Sequence, residues 1–314
     1  MPKFLVTGGA GFIGSNLADH LAKNSTNKVT VVDSLLTGHQ EYLDQRANLK
    51  FIKADVNNFN EIASIFHANN FDYVYHYAAV VGVQRTLHNP VLVLRDMEGI
   101  KNVLELAKNT GVKRVLYASS SEVYGEPVEL PQHEETTPLN SRLPYAVVKN
   151  IGESFLKSYK FEYDLDYTIF RFFNTYGPRQ STDFVMSKFI DAALNNQPIT
   201  IYGDGSQTRT FCYIADNVAA TTNAIKNKST INKVVNIGND QEVTIKQLAE
   251  KIIKISNSKS KIIYLPPLKE GDMSRRQPDA TKMRKLLKRQ LTPLDQGIAK
   301  LIKYKQQTLR ADKR

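Results

Sequence analysis

Three glycines at the junction of an apolar run and a helix-like run constrain the fold of this chain more than any other feature. Residues 4–14 are FLVTGGAGFIG, which places Gly8, Gly11 and Gly14 between the two runs. Gly8 permits a tight turn, Gly11 lets an anionic group approach the backbone, and Gly14 lets the helix pack closely on a sheet. The pattern predicts a strand, a turn and a helix whose first N–H groups bind a pyrophosphate.

A carboxylate ends the second predicted strand. Asp33 closes the run KVTVVD, and the next residues, SLL at 34–36, contain no cation. A carboxylate in this position accepts hydrogen bonds from the ribose hydroxyls of an adenosine and repels a 2′-phosphate. The glycines and Asp33 therefore predict a dinucleotide site that prefers NAD to NADP. Asp55, after the third predicted strand, is placed to meet the adenine.

The first 120 residues alternate β-rich runs with amphipathic runs. In residues 91–110, for example, apolar side chains recur at the spacing of a helix face. Strand–helix–strand repetition implies right-handed crossovers and a parallel sheet with helices on both faces. The sequence therefore predicts an α/β chain with a Rossmann-type doubly wound parallel sheet. Its predicted strands span residues 3–6, 28–32, 49–53, 73–76, 114–118 and 167–172.

The pattern loosens after a long helix, which we predict from residue 141 or 144 to residue 163. We predict a nucleotide-binding domain at residues 1–178 and a smaller mixed α/β substrate lobe at residues 179–314, although later chain can return to the first sheet. In the lobe, helices are predicted at residues 184–195, 216–226, 245–255 and 294–304, and short strands at 199–202, 234–237 and 261–265.

The charge of the chain is concentrated near its C-terminus. The 42 Lys+Arg and 31 Asp+Glu give a net charge of +11, yet residues 251–314 alone hold 18 and 5, a balance of +13. The remaining 250 residues therefore carry 24 and 26, a balance of −2. We interpret the basic segment as a solvated helical surface, with an anion-binding face as the alternative. Because its only aromatic residues are Tyr264 and Tyr304, no nucleic-acid partner is predicted.

Cysteine usage and hydropathy exclude other classes of protein. Cys212 is the only cysteine, so an internal disulfide is impossible, and no clustered Cys/His spacing predicts a metal site. No run reaches the roughly 18 apolar residues that would span a bilayer. No leader-like segment precedes the first predicted strand, so we expect a cytoplasmic protein without a membrane partner.

A tyrosine and a lysine four residues apart provide a candidate for proton transfer. Tyr145 and Lys149 lie on the long predicted helix and share one face of it. A nearby ammonium lowers the pKa of a tyrosine, so the phenol can act as a general base near neutral pH. The segment SSSEVYG at 119–125 follows the fifth predicted strand, and a serine hydroxyl there can hold a substrate oxygen as the proton leaves.

With these motifs the chain resembles extended short-chain dehydrogenases/reductases of the NAD-dependent epimerase/dehydratase family, which act on nucleotide-diphosphate sugars. The resemblance covers nearly the whole chain, from the glycine loop through the Tyr145/Lys149 pair to the segments RFFNTYGPR at 171–179 and GDGSQTRTF at 203–211. It implies a bound NAD, a nucleotide-diphosphate sugar as substrate, with a UDP-sugar favoured, and a homodimer formed through the helices predicted at 91–110 and 141–163.

The family's residue roles carry over to the matching positions. Tyr145 would take the proton of the sugar C4 hydroxyl while a hydride passes to the nicotinamide, assisted by Ser120 or its neighbours Ser119 and Ser121. The substrate diphosphate would contact Asn174, Arg179, Arg209 and one of Arg275 and Arg276. NAD would contact Gly8, Gly11, Phe12, Ile13, Gly14, Asp33, Asp55, Val56, Ala78, Ala79, Ser119, Tyr145 and Lys149.

The residues before Val123 bear on which reaction follows the oxidation of C4. Ser121 stands where similar hexose dehydratases have an acidic residue, and Ser120-Ser121-Glu122 is close to the Thr-Ser-Glu of many nucleotide-glucuronate decarboxylases. The overall pattern favours a UDP-hexose 4-epimerase. A UDP-glucuronate decarboxylase or a nucleotide-sugar dehydratase that uses Glu122 is the alternative, and a catalytically idle NAD-binding sensor is an alternative of another class. Asp96 is a departure, because relatives usually have Asn there.

Overall fold

The computed structural model describes residues 1–267 and 275–311. Its strands are β1 (Lys3–Thr7), β2 (Lys28–Asp33), β3 (Leu49–Lys53), β4 (Tyr73–His76), β5 (Arg114–Ser120), β6 (Tyr167–Phe172), β7 (Thr175–Tyr176), β8 (Ile199–Tyr202), β9 (Thr208–Thr210), β10 (Cys212–Tyr213), β11 (Lys233–Ile237), β12 (Glu242–Thr244) and β13 (Ile262–Leu265). Its α-helices are α1 (Phe12–Ala22), α2 (Phe59–Asn69), α3 (Val83–His88), α4 (Pro90–Leu94), α5 (Asp96–Asn109), α6 (Pro144–Tyr163), α7 (Val185–Leu194), α8 (Ile214–Lys226), α9 (Ile245–Ser256), α10 (Thr281–Leu287) and α11 (Leu294–Ala311).

Seven parallel strands form the central sheet in the order β11-β6-β5-β4-β1-β2-β3. Alternate side chains of β1 enter two different apolar clusters: Phe4 and Val6 pack with α1, α7, α8 and α9, whereas Leu5 packs with α2, α5 and α6. Helices therefore cover both faces, which is why the strands are apolar on both sides. The predicted doubly wound α/β fold is confirmed.

The chain after residue 178 does return to the central sheet. The strand predicted at 234–237 is β11, which pairs in parallel with β6 at the sheet edge and does not belong to the substrate lobe alone. Val235 and Ile237 are fully buried there. An apolar run specifies a buried strand but not the strand with which it pairs, so the sequence left the partner open.

The helix predicted over 91–110 is divided in the structure. Its residues lie in α4 and α5, which are separated by Arg95. Arg95 keeps right-handed helical dihedral angles, φ −63° and ψ −23°, so the apolar spacing continues across the break and conceals it in the sequence. In the part of the chain that the structure describes, no helix is both long and apolar enough to cross a membrane.

A buried ion pair joins α6 to the centre of the sheet. Arg171 of β6 donates two hydrogen bonds to the carboxylate of Glu153, from Nε at 2.9 Å and from Nη2 at 2.7 Å, and both side chains are at most 2% exposed. The same carboxylate accepts a hydrogen bond of 2.6 Å from Ser119 Oγ at the end of β5. Arg171 Nη1 donates to the Tyr124 hydroxyl at 2.9 Å. One carboxylate thus fixes the positions of two strands and a helix.

We expect Glu153→Gln to lower the free energy of unfolding by about 3–5 kcal/mol, because it leaves the Arg171 charge buried without its counter-ion. Urea unfolding followed by circular dichroism would measure the change. Asp295→Asn is the matched control, since it removes the exposed Lys251–Asp295 pair and should cost no more than about 1 kcal/mol. Equal losses in the two variants would contradict the proposed importance of the buried pair.

Candidate active site

A cavity of about 1580 Å³ opens at the carboxyl ends of the central strands. The sheet order reverses between β1 and β4, and a crevice at such a switch point is where α/β sheets bind ligands. The glycine loop, the ends of β2 and β5, the start of α6 and the segment 172–186 line the cavity. All thirteen residues predicted to contact NAD are among its lining residues: Gly8, Gly11, Phe12, Ile13, Gly14, Asp33, Asp55, Val56, Ala78, Ala79, Ser119, Tyr145 and Lys149.

The glycine loop packs too tightly for side chains. Gly8 has φ +65°, and a Cβ on it would lie 2.6 Å from the backbone nitrogen of Ala78. A Cβ on Gly14 would overlap the Gly8 carbonyl oxygen. Gly11 is the N-cap of α1 and offers no side-chain cap, so the first N–H groups of the helix can meet an anion.

Asp33 is held at the cavity wall by backbone N–H groups. Its Oδ2 accepts a hydrogen bond from Ala10 N at 3.0 Å, and its Oδ1 accepts one from Leu35 N at 2.8 Å. Each carboxylate oxygen has a second lone pair, so the group can also accept from a hydroxyl in the cavity. A Cβ on Gly38 would lie within 3 Å of this carboxylate, and the chain after β2 therefore closes tightly around it.

Tyr145 and Lys149 lie one turn apart on α6, and the lysine is anchored to the end of β5. Lys149 Nζ donates a hydrogen bond of 2.8 Å to the carbonyl of Ala118 and lies 5.7 Å from the centre of the Tyr145 ring. Burial lowers the pKa of Lys149 to about 8. The pair therefore stands together in the cavity, as the spacing predicts.

The predicted lowering of the Tyr145 pKa is wrong. Burial raises the pKa of Tyr145 well above its usual value, and the negative charge of Glu122 raises it further, whereas Ser120 and Arg276 act in the opposite direction. Desolvation of the phenolate outweighs the nearby cations. The sequence shows the Tyr–Lys spacing but not the depth of burial, and burial decides whether the Tyr145 pKa is raised or lowered.

The three serines at the end of β5 have different surroundings. Ser119 Oγ donates to Glu153 and so belongs to the buried ion pair. Ser120 Oγ accepts a hydrogen bond of 3.2 Å from Glu122 N and interacts with the Tyr145 hydroxyl. Ser121 is buried and also lines the cavity. Of the three, Ser120 is the one best placed to assist Tyr145.

An acid and an arginine from distant parts of the chain meet beside Tyr145. Arg276 Nη2 lies 3.2 Å from Glu122 Oε1, and both residues line the cavity. Arg276 is only 8% exposed. Arg275 instead forms an exposed ion pair of 2.7 Å with Glu242 and does not line the cavity, so of the two predicted candidates Arg276 is the one that lies at the cavity. The rest of that predicted segment, residues 271–274, lies outside the described residues.

Only two of the three other predicted substrate residues lie at the cavity. Asn174 lines the cavity and donates from Nδ2 to the Thr210 carbonyl at 3.2 Å. Arg179 also lines it, and its guanidinium forms an ion pair of 2.6 Å with Asp19 of α1. Arg209 is buried and donates from Nη1 to its neighbouring Thr208 carbonyl. Among the described residues, the cavity lining does not include Arg209, whose strand β9 pairs with β12.

One contact at the cavity is not predicted by any pattern in the sequence. Arg85 of α3 lies 3.6 Å from Asp183 in the segment before α7, and both residues line the cavity. Gly82, with φ +104°, precedes α3 and permits the turn that brings Arg85 there. No motif or spacing in the sequence marks this pair, since about one hundred residues separate its members. In residues 1–267 and 275–311 no cluster of His, Cys, Asp and Glu side chains is arranged to hold a metal ion.

Comparison with known proteins shows the family to which the chain belongs. UDP-N-acetyl-alpha-D-glucosaminuronate decarboxylase of Bacillus cytotoxicus is 35% identical over 297 residues, 90% of each chain. UDP-glucose 4-epimerase of Thermotoga maritima, solved with UDP-glucose, has a TM-score of 0.92 at 32% identity and covers 98% of this chain and 99% of its own. UDP-glucuronic acid 4-epimerase from Bacillus cereus, in complex with UDP-glucuronic acid and NAD, has a TM-score of 0.89 at 31% identity, with coverage of 98% and 99%. The model of the NAD dependent epimerase/dehydratase family matches residues 4–238, and the chain belongs to that family of enzymes.

Proposed function

We propose that this enzyme is a UDP-uronate decarboxylase, which oxidises C4 of the sugar and releases its C6 carboxylate as CO2. The observation that carries the proposal is the Glu122–Arg276 pair, which lines the cavity beside Tyr145. A 4-epimerase needs no acid or base beyond those that oxidise and reduce C4. An arginine, in contrast, suits the recognition of a substrate carboxylate. The similarity to the B. cytotoxicus decarboxylase supports the same choice.

The cavity residues fit NAD as the cofactor. The glycines of the loop have no Cβ, which leaves room for a pyrophosphate at the start of α1, and the Asp33 carboxylate can accept a hydrogen bond from a ribose hydroxyl. When bound, NAD supplies the hydride acceptor for C4. The residues proposed to hold it are the thirteen cavity residues predicted from the sequence, from Gly8 to Lys149.

Proton transfer at C4 is assigned to Tyr145. Its hydroxyl would take the proton of the C4–OH, and Ser120 would hold the same substrate oxygen. Lys149, one turn along α6, would stabilise the phenolate with its ammonium. Because burial raises the pKa of Tyr145, the phenolate would depend on nearby positive charge for its stability.

The second chemical step is assigned to Glu122 and Arg276. Once C4 is a ketone, the C6 carboxylate is in the β-keto position, so the C5–C6 bond can break with its electron pair passing into the C4 carbonyl. CO2 leaves, and the resulting enolate takes a proton at C5. Arg276 would orient the substrate carboxylate before CO2 leaves. Glu122, displaced from Arg276 by that carboxylate and protonated from solvent, would donate its proton to C5. The diphosphate of the substrate is assigned to Asn174 and Arg179, which also line the cavity.

A UDP-sugar 4-epimerase is the second candidate. It is favoured by the similarity over nearly the full chain to the T. maritima and B. cereus 4-epimerases. In that case Glu122 and Arg276 would bind the sugar without donating a proton to C5.

Assembly into a homodimer through α5 and α6, which pack on each other, also remains part of the proposal and would be tested by light scattering.

We expect Gly11→Ala to reduce NAD affinity by about tenfold or more while the protein stays folded. A Cβ at this position meets only the Gly8 carbonyl oxygen, at 3.2 Å, so the loop can yield slightly, but the methyl group would obstruct the pyrophosphate. Isothermal titration with NAD measures the affinity, and thermal unfolding monitors the fold. Gly14→Ala, by contrast, should destabilise the folded protein itself. Unchanged NAD affinity in Gly11→Ala would contradict the proposed NAD site.

We expect Tyr145→Phe to slow turnover roughly 100- to 10,000-fold and to leave NAD affinity unchanged, because only the phenolic proton acceptor is lost. Product chromatography after incubation with UDP-glucuronate, UDP-N-acetylglucosaminuronate and UDP-glucose measures turnover. Tyr163→Phe, a half-exposed tyrosine at the end of the same helix, is the matched control and should behave like the unmodified enzyme. Near-normal turnover of Tyr145→Phe would remove this residue from the mechanism. If the unmodified protein turned over no UDP-sugar, a catalytically idle NAD-binding sensor would be favoured instead.

We expect Glu122→Gln to slow steady-state CO2 release roughly 100-fold while C4 oxidation persists, since the amide cannot supply the proton for C5 and the enolate of the first turnover is not consumed. Release of labelled CO2 from a UDP-uronate, together with deuterium at C5 of product formed in heavy water, measures the step. Glu250→Gln changes an exposed carboxylate outside the cavity lining and serves as the control. If the unmodified enzyme forms the 4-epimer, releases no CO2 and incorporates no deuterium at C5, the decarboxylase proposal is wrong and the 4-epimerase is the function.

A further inference from the structure

Arg85 and Asp183 form an ion pair at the rim of the cavity. Nη2 of Arg85 lies 3.6 Å from Oδ2 of Asp183, and both residues line the cavity. Their side chains are 34% and 41% exposed, so the two groups lie where the cavity meets the solvent. The proposed reaction assigns no role to either of them.

The two partners come from opposite sides of β5. Arg85 belongs to α3, which follows β4, whereas Asp183 lies in the segment 181–184, which follows β6 and β7. In the central sheet β5 lies between β4 and β6, and it ends at Ser120, two residues before Glu122. The ion pair therefore joins the two chain segments that flank this strand end.

Each charged group is held by its own segment. Arg85 Nη1 donates a hydrogen bond of 2.7 Å to the Val81 carbonyl, and Asp183 N donates one of 3.2 Å to the Ser181 hydroxyl oxygen. Gly82, with φ +104°, lies against both partners, because a Cβ on it would be 3.3 Å from Arg85 Nη1 and 3.5 Å from Asp183 Oδ2. A glycine at this position thus leaves room for the two groups to meet.

The ion pair is too weak to support the fold. Its separation of 3.6 Å is longer than a hydrogen bond of about 2.7–3.2 Å, and both groups are partly solvated. Exposed pairs of this kind shift an equilibrium only about two- to fivefold, in contrast to the buried Arg171–Glu153 pair. Such a contact can open and close without unfolding the protein, as loop contacts at active sites do.

We propose that the Arg85–Asp183 pair is a latch at the cavity opening that slows the exchange of the nucleotide-diphosphate sugar. The identity of that ligand rests on the proposed function. For the cofactor to end the cycle oxidised, the hydride taken from C4 has to return to the sugar before the sugar leaves. A 4-keto sugar that left early would leave the cofactor as NADH, and the latch reduces that loss.

Asp183→Asn distinguishes a latch from a simple anion site. If Arg85 only bound the substrate diphosphate, the loss of its carboxylate partner would leave it uncompensated, and release of an anionic ligand would become slower. If the pair is a latch, the same substitution favours the open cavity, and we expect release to become about two- to fivefold faster. The two interpretations therefore predict opposite changes in the release rate.

Stopped-flow displacement of N-methylanthraniloyl-UDP by excess UDP, on the NAD-loaded protein, measures the release rate. Asp240→Asn is the matched control, because it removes the Arg284–Asp240 pair, which has similar exposure and lies outside the described cavity lining. This control should release the probe at the rate of the unmodified protein. Release from Asp183→Asn that is unchanged or slower would overturn the latch.

A covalent link in place of the ion pair provides a second test. In the double variant Arg85→Cys/Asp183→Cys a short bismaleimide can join the two new thiols, whereas the native Cys212 is only 1% exposed and should not react. We expect the linked protein to release prebound probe roughly tenfold more slowly or less, and the same variant treated with N-ethylmaleimide to release it as fast as Asp183→Asn. Equal release from the linked and the N-ethylmaleimide-treated protein would show that the ligand does not leave past this pair.

These measurements use UDP and involve no chemistry, so they distinguish the latch from the decarboxylase. Faster release from Asp183→Asn in a protein that forms no CO2 supports the latch and removes the proposed function. Unchanged release in an enzyme that forms CO2 overturns the latch alone. In the active enzyme Asp183→Asn should also accumulate NADH during turnover, seen by its near-ultraviolet absorbance, and no increase over the unmodified enzyme would overturn the retention of the 4-keto sugar.

Discussion

The carboxylate of Glu153 is the point on which the geometry of the site depends. It is fully buried, and it receives hydrogen bonds from Arg171 of β6 and Ser119 of β5. One turn earlier on α6, Lys149 is bound to the Ala118 carbonyl at the end of β5. Gly152 has its Cα against the Tyr117 side chain, where no Cβ would fit. Two successive turns of α6 are thus held against one strand, and Tyr145, one turn further, takes its position from them.

The burial that fixes this geometry also opposes charge on Lys149 and Tyr145. Desolvation lowers the pKa of Lys149 and raises that of Tyr145, so burial favours the neutral forms of both. The surrounding charges then act on Tyr145 from different sides: Asp96 from α5, Glu122 from the end of β5, and Arg276 from the C-terminal part of the chain. The proton affinity of Tyr145 is therefore a property of the whole cavity and not of the Tyr–Lys spacing alone.

Features that depend on local spacing could be predicted from the sequence. The glycine loop, the strand–helix alternation and the start of α6 at Pro144 each depend on a few neighbouring residues, and the structure has them. Features that depend on distant packing could not. The sequence pattern does not specify the helices α2, α3 and α10 or the partner of β11, and it does not show that Arg209 stays outside the described cavity lining. The choice of Arg276 over Arg275 likewise depends on which side chain reaches Glu122, more than 150 residues earlier.

Arg276 enters the cavity from a different part of the chain than the glycine loop, Tyr145 and Lys149. The family model ends at residue 238, so the glycine loop, Tyr145 and Lys149 fall within it and Arg276 falls outside. Several other cations of the basic C-terminal segment form ion pairs with acids elsewhere, as in Arg284–Asp240, Arg289–Asp216 and Lys305–Asp191. These ion pairs attach the segment to the rest of the protein. The attached segment places Arg276 3.2 Å from Glu122, so the pair on which the proposed decarboxylation depends joins the matched part of the chain to the part beyond it.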